Sequence, residues 1–227
     1  VADEAAALLK RAVNLEREQI YLSATHSHAS IGAWGEGVVG AAFAGKFQPG
    51  IRVWFAGQLA AAATAAIANL SPAAFGQGSF AAPKFVRNRL IGEKGQVDDE
   101  FSVAVIRQED GDTAVLGAFA AHATVLSSRN MEFSGDYPGY WRRALERDLG
   151  GFAVFFAGAV GSHGPVAGAS GFEGAERMGR SLADSVKQQI PKIPLTNQIA
   201  FGGVGLKVDM PELNVRLTDG TRLRPAI

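Results

Sequence analysis

Residues 101–124 read FSVAVIRQEDGDTAVLGAFAAHAT, two apolar segments set either side of Gly111-Asp112. Gly-Asp between apolar runs is a hairpin-type turn, so the stretch predicts two paired strands, the second carrying His122 towards its end. C-terminal to the pair, DYPGYWRRALERDLG (136–150) predicts a helix started near Pro138 and closed by Gly150. GFAVFFAGAVGSHGP (151–165) is a continuous apolar run, expected to be a fully buried strand that enters a glycine loop. An amphipathic helix over 171–190, stopped by Pro191, and a strand-and-loop region over 197–213 complete this half.

The N-terminal half reads in the same way. Residues 2–15 place Ala5, Leu8, Leu9, Ala12 and Val13 at helical spacing, with acids early and Lys10 and Arg11 late, as the helix dipole favours. Glu18 to Thr25 (EQIYLSAT) has the aromatic and branched residues of a strand and should deliver His26 at its end. A loop is expected around Gly32, Gly35, Gly37 and Gly40, then a turn at Pro49-Gly50 before a long alanine-rich helix ended by Ser71-Pro72. Strands alternating with helices give an α/β fold, a layered domain with helices packed on a mixed β-sheet and ligands expected at strand ends. No internal repeat or linker divides residues 1–227, which read as a single domain.

A chain of 227 residues, 47% of them hydrophobic, can bury a substantial core as a soluble globular domain. Its 22 acidic and 22 basic side chains balance, and no Lys/Arg block is present to neutralise phosphates, so the partner class is a small molecule or lipid and not nucleic acid. The absence of cysteine removes disulfide and thiolate chemistry and leaves the redox compartment unreadable. The opening VADEAAALLKRAV is not patterned as a signal peptide. Val53 to Leu70 reaches membrane-spanning length, but Gln58, Thr64 and its many alanines favour a buried helix. Both ends read as cut, which makes the chain a piece of something longer.

Four histidines, His26, His28, His122 and His163, all fall at or just beyond the ends of predicted strands beside small residues. Neutral imidazoles converging from different strand ends are a common way to hold a metal, while each one taken singly is more simply a hydrogen-bonded loop histidine. Asp136, between glycine-bearing turns, reads from spacing as a helix N-cap. The carboxylates of QVDDEFS need no more than a solvated turn. Arg87 and Arg89 lie in a loop where a guanidinium can clamp an oxyanion or pair with an acid. GAVGSHGP is either a backbone anion cradle or a site of close packing.

Taken in order, SATHSHASIG, VRNR, QVDDEFSVAVI, FAAHATVL, FSGDYPGY, AGAVGSHGP and GFEGAERMGRSLA resemble seven motif blocks of the neutral/alkaline ceramidases, zinc amidohydrolases that cleave the N-acyl bond of ceramide. The resemblance implies Zn2+ as cofactor, with His26 and His122 as metal ligands. It implies that His28 contacts the substrate carbonyl or its oxyanion and that Arg89 acts near the same oxygen, with Asp136 and Gly164 on the substrate-binding side. It further implies a ceramide-like substrate, peripheral contact with a membrane, and a secreted, periplasmic or membrane-associated location. Three departures stand out. Ser162 and Gly164 replace the aspartate and the serine or asparagine of the family's loop, and SHASIGAWG replaces a glycine-proline loop at the pocket mouth. The family's remaining zinc ligands, a glutamate and a tyrosine, match no position in this sequence. A catalytically silent binding or structural domain, or a hydrolase of a non-lipid N-acyl compound, is the alternative.

Overall fold

The computed structural model describes residues 1–204 together with 206, 208, 209, 215, 216, 222 and 223. In chain order the helices are α1 (Ala2–Val13), α2 (Gly37–Ala44), α3 (Pro49–Ala68), α4 (Asp136–Leu149) and α5 (Gly171–Gln189). The strands are β1 (Ala73–Ala81), β2 (Val86–Asn88), β3 (Glu100–Gln108), β4 (Thr113–Phe119), β5 (Phe152–Ala157), β6 (His163–Pro165), β7 (Val215–Arg216) and β8 (Arg222–Leu223). The chain forms two compact units, one of residues Val1–Tyr21, Gly32–Ala68 and Phe201–Ile227, the other of Leu22–Ile31 and Asn69–Ala200.

The second unit is built on the hairpin expected from residues 101–124. β3 and β4 pair antiparallel with Val105 opposite Val115, and Gly111, at φ 102, donates its N–H to Gln108 O (3.0 Å) to close the turn. β1 adds antiparallel to β3 and β5 adds parallel to β4, giving the mixed order β1-β3-β4-β5. Along β3, Phe101, Val103 and Val105 alternate onto the face that meets Tyr137, Trp141 and Leu145 of α4 and Met178, Leu182 and Val186 of α5. Two contacts set how closely the layers approach. A Cβ on Gly117 would lie 2.7 Å from the Trp141 ring, and one on Gly179 would lie 2.5 Å from Tyr137 O, so glycine at each position lets helix meet sheet or helix. α4 ends where Gly150, at φ 69, caps Glu146 O (3.0 Å).

In the first unit α1 packs on α3, with Ala5, Ala6, Leu9, Ala56 and Ala60 buried and Arg52 Nε 3.0 Å from Glu4 Oε1.

Five expectations are corrected. Residues 18–25 form no strand: Gln19 Oε1 accepts Glu16 N–H (2.8 Å) and the guanidinium of Arg17 donates to Ile20 O (3.0 Å), which turns the chain, and Ala157 N–H donates to Ala24 O (3.1 Å), tying the segment to the end of β5. Of the glycines expected in a loop, Gly32 and Gly35 lie outside regular structure as expected, whereas Gly37 and Gly40 fall in α2, where a Cβ on Gly40 would lie 2.5 Å from the Gly35 carbonyl carbon, a close approach that glycine permits. Pro49-Gly50 opens α3 instead of preceding it, in keeping with proline at a first helical turn. α3 itself, long and apolar enough to cross a membrane, buries only Ala56 and Ala60 and leaves Val53 64% exposed, so it is not a buried helix. β5 is an edge strand that buries Ala153 and Phe155 against the helices but leaves Phe152 59% exposed, since only one of its faces is covered. β1, whose small residues hide its alternation, was not anticipated. Of the expected 197–213 strand and loop, 197–204 carries no regular structure, and Gly205, Lys207 and 210–213 lie outside the described residues.

Candidate metal centre

His26 and His28 lie in the loop 22–31, which three backbone-directed bonds hold in place. Ala157 N–H donates to Ala24 O (3.1 Å), Ser27 Oγ donates to Ser134 O (2.8 Å), and Ser134 N–H donates to Ala29 O (2.8 Å). His26 adopts φ 56, the left-handed region that costs a non-glycine residue energy and that tertiary contacts must enforce. The resulting turn brings its ring to 5.2 Å, centroid to centroid, from that of His28. His122 arrives from just past the end of β4, buried, with its ring 4.6 Å from His26 and 4.8 Å from His28. The three offer nitrogen ligand atoms all within 4.8 Å of one another.

The tautomer of His122 follows from its partner. Val160 O lies 3.0 Å from Nδ1, and a carbonyl only accepts, so Nδ1 carries the hydrogen and Nε2 is a bare lone pair. That Nε2 faces His28 Nε2 at 2.8 Å. A lone pair preset by a carbonyl behind the ring is the arrangement a metal-ligating histidine needs, and the donor set fits a zinc-type cation.

Burial and neighbouring charges favour the neutral forms of His28 and His122. Burial, then the neighbouring His26 and Arg89, holds His28 below its ordinary pKa, with Asp136 opposing. Burial also lowers His122, against the Val160 carbonyl and with help from Arg89 and the other two histidines. Both values fall on folding, so as pH drops the unfolded chain takes up these protons first; their contribution to stability is complete above 6.5 and is lost as pH falls from there through the lower folded values. In chelator-treated protein, NMR titration of the ring protons should give midpoints below 6.5 for both His28 and His122. A midpoint at or above that value for either would contradict the geometry.

The other expected residues divide into those near the cluster and those that are not. Asp136 is buried at φ 51 as the first residue of α4, not the residue before it. Its carboxylate accepts N–H bonds from Tyr137 (2.6 Å) and from Leu126 (2.9 Å), so it ties the segment after His122 to the helix as well as capping. Burial raises its pKa, opposed by these bonds and by His28. Asp136 and His28 line a cleft of about 360 Å³ with Thr124, Ser127, Ser128 and Asn130, residues that sequence reasoning missed although they follow His122 in the small, polar run ATVLSSRN. Arg89 binds the glycine loop twice, through N–H to Ser162 O (2.9 Å) and Nε to Gly161 O (2.9 Å). Gly164 sits in β6 opposite Arg87, where a Cβ would lie 3.3 Å from Arg89 Cβ, and does not line the cleft.

The loop 158–163 packs tightly through its own backbone. Its carbonyls at Ala159, Val160, Gly161 and Ser162 accept from His163, His122 and Arg89, and the N–H groups of Val160 and His163 are spent inside the loop. His163 is unavailable as a ligand because both its ring nitrogens are engaged within the fold, with Asp98 N–H and Ala159 O.

No family model and no curated relative matches this sequence. Solved structures do. The crystal structure of neutral ceramidase from Pseudomonas aeruginosa matches with a TM-score of 0.73 and 21% identity, over 83% of this chain and 34% of that one. A ceramidase complexed with C2 matches with a TM-score of 0.73 and 20% identity over the same shares. The chain thus spans about a third of the length of the proteins it resembles and shares their fold.

Proposed function

We propose that this chain, on the fold it shares with neutral ceramidase, is part of a zinc-dependent amidohydrolase that cleaves the N-acyl bond of ceramide or a related lipid. The observation that carries the reading is the convergence of His26, His28 and His122 within 4.8 Å on that fold. His26 and His122 hold the metal, and His28 meets the acyl carbonyl. In support, His28 lines the cleft and His26 does not. Zinc bound there would supply Lewis acidity, polarising the carbonyl and making water a nucleophile near neutral pH. Arg89 places a fixed cation whose field already reaches both His28 and His122, where negative charge develops on the acyl oxygen. Asp136 shapes the substrate side through the Leu126 and Tyr137 N–H groups, and Gly164 leaves room beside Arg89. A catalytic zinc takes at least three protein ligands, so this reading draws the remainder from outside the sequence.

A lipid substrate brings with it peripheral membrane contact and a secreted, periplasmic or membrane-associated location. A second reading, a catalytically silent domain, rests on Ser162 and Gly164, which leave the glycine loop without a carboxylate. Hydrolysis of N-acyl substrates by the full-length protein decides between them. Turnover of ceramide, lost about 100-fold or more in His28→Ala while zinc is retained, is expected. Zinc content without turnover of ceramide or of short polar N-acyl compounds would establish the silent domain.

A further inference from the structure

We infer that His163 is a positioning residue that presets His122 for metal ligation through the glycine loop. His163 is 6% exposed and fully committed. Its Nε2 accepts Asp98 N–H at 2.8 Å, so that nitrogen carries no hydrogen, and its Nδ1 donates to Ala159 O at 2.8 Å, with Ser162 Oγ at 3.1 Å sharing the site. Both bonds independently require the same neutral tautomer. The ring therefore bridges the entry to β3 and the loop 158–163, two segments that do not otherwise pair.

That loop is what orients His122. His163 O accepts His122 N–H (3.2 Å), and His163 N–H donates to Val160 O (3.2 Å), the same oxygen that accepts His122 Nδ1–H (3.0 Å). Arg89 steadies the far side through Gly161 O and Ser162 O. Five residues separate Ala157 from His163, with glycines at 158 and 161, and beyond the bonds of Gly158 N–H to Phe119 O and Val160 N–H to Gly158 O the loop is held by these contacts. Remove the ring, and the Asp98 N–H and Ala159 O lose their partner; the backbone bond from residue 163 N–H to Val160 O remains, but the loop loses its tie to the entry of β3, so Val160 O holds the Nδ1 hydrogen of His122 less firmly. Groups that orient a ligating histidine from behind matter to metal affinity by about 10- to 100-fold. The functional weight of this inference rests on the reading of His122 as a ligand, but its structural content does not.

The test uses full-length, 15N-labelled protein stripped of metal, with imidazole tautomers read by long-range 1H–15N correlation above pH 6.5, followed by zinc titration. The parent should show His122 with hydrogen on Nδ1. In folded His163→Ala, His122 should shift towards the Nε2–H form and zinc affinity should fall about 10- to 100-fold. His163→Gln, which returns an acceptor to Asp98 N–H but lacks the rigid ring that fixes both bonds at once, should lie between. A purely structural histidine would lower Tm in these variants and leave the His122 tautomer untouched, and that result would overturn the inference. Should His163→Ala fail to fold, the Gln variant decides: an intermediate tautomer population supports the role, and a His122 identical to the parent's removes it. A parent that binds no zinc would defeat the metal reading, while the tautomer measurement would still decide the role of His163.

Discussion

Purified full-length protein should carry about one zinc per chain, and His26→Ala or His122→Ala should each reduce that to near zero by elemental analysis. The expectation follows from how unevenly the centre is built. His122 is buried with its lone pair preset by Val160 O, so alanine removes an oriented donor that no neighbour can replace. His26 is more exposed, but it is held at φ 56 by a loop anchored on Ala157 and Ser134, which is strain maintained for the position of one ring. His28→Ala separates the proposed roles: it should keep zinc and lose turnover. The 2.8 Å approach of its Nε2 to His122 Nε2 makes this a sharp test, since loss of zinc equal to that in His26→Ala would make His28 a third ligand and overturn the division.

Trp141→Ala should cost about 3–5 kcal/mol in denaturant-induced unfolding, the range for deleting a buried aromatic side chain. The indole is completely buried, lies 5.8 Å from Phe101 and 5.5 Å from Phe155 by ring centroids, and rests on Gly117 so closely that no Cβ fits there. Its N–H has no hydrogen-bond partner among the described residues, so truncation sacrifices packing and leaves no polar group stranded. The effect should reach the metal centre, because α4 begins at Asp136, whose carboxylate holds Leu126 N–H in the segment that follows His122. Zinc affinity in the folded fraction of the variant should therefore fall as well. A stability loss under about 1 kcal/mol would mean that the sheet–helix interface has collapsed around the void.

Legibility in the sequence followed the range of the forces involved. The β3–β4 hairpin, α4 with its Gly150 cap and α5 were readable because apolar periodicity and turn chemistry act within a few residues. Residues 18–25 misled because side-chain bonds from Arg17 and Gln19 overrode the strand propensity of Ile20, Tyr21 and Leu22. Gly37 and Gly40 misled because glycine in sequence looks the same in a loop as in a helix that it lets approach a neighbouring backbone, as Gly40 does at Gly35. β1 stayed hidden because Gly76 and Gly78 carry no side chain to alternate, their place being taken by Ile193, which lies against both.

The candidate site divides along the same line. The histidines as a group and the α/β character of the chain were set by local pattern and residue chemistry, which one sequence carries in full, whereas His26 and His28 sit in a loop and not at the expected strand end. Which histidines meet was a matter for the tertiary structure alone. Residues 26, 28 and 122 converge, whereas His163 turns to Asp98 and Ala159, because ring direction depends on carbonyls and N–H groups remote in the chain. The tautomer of His122, the lowered pKa values of His28 and His122 and the polar cleft beside His28 depend likewise on burial and on contacts that exist only once β4, α4 and the loop 158–163 are in place.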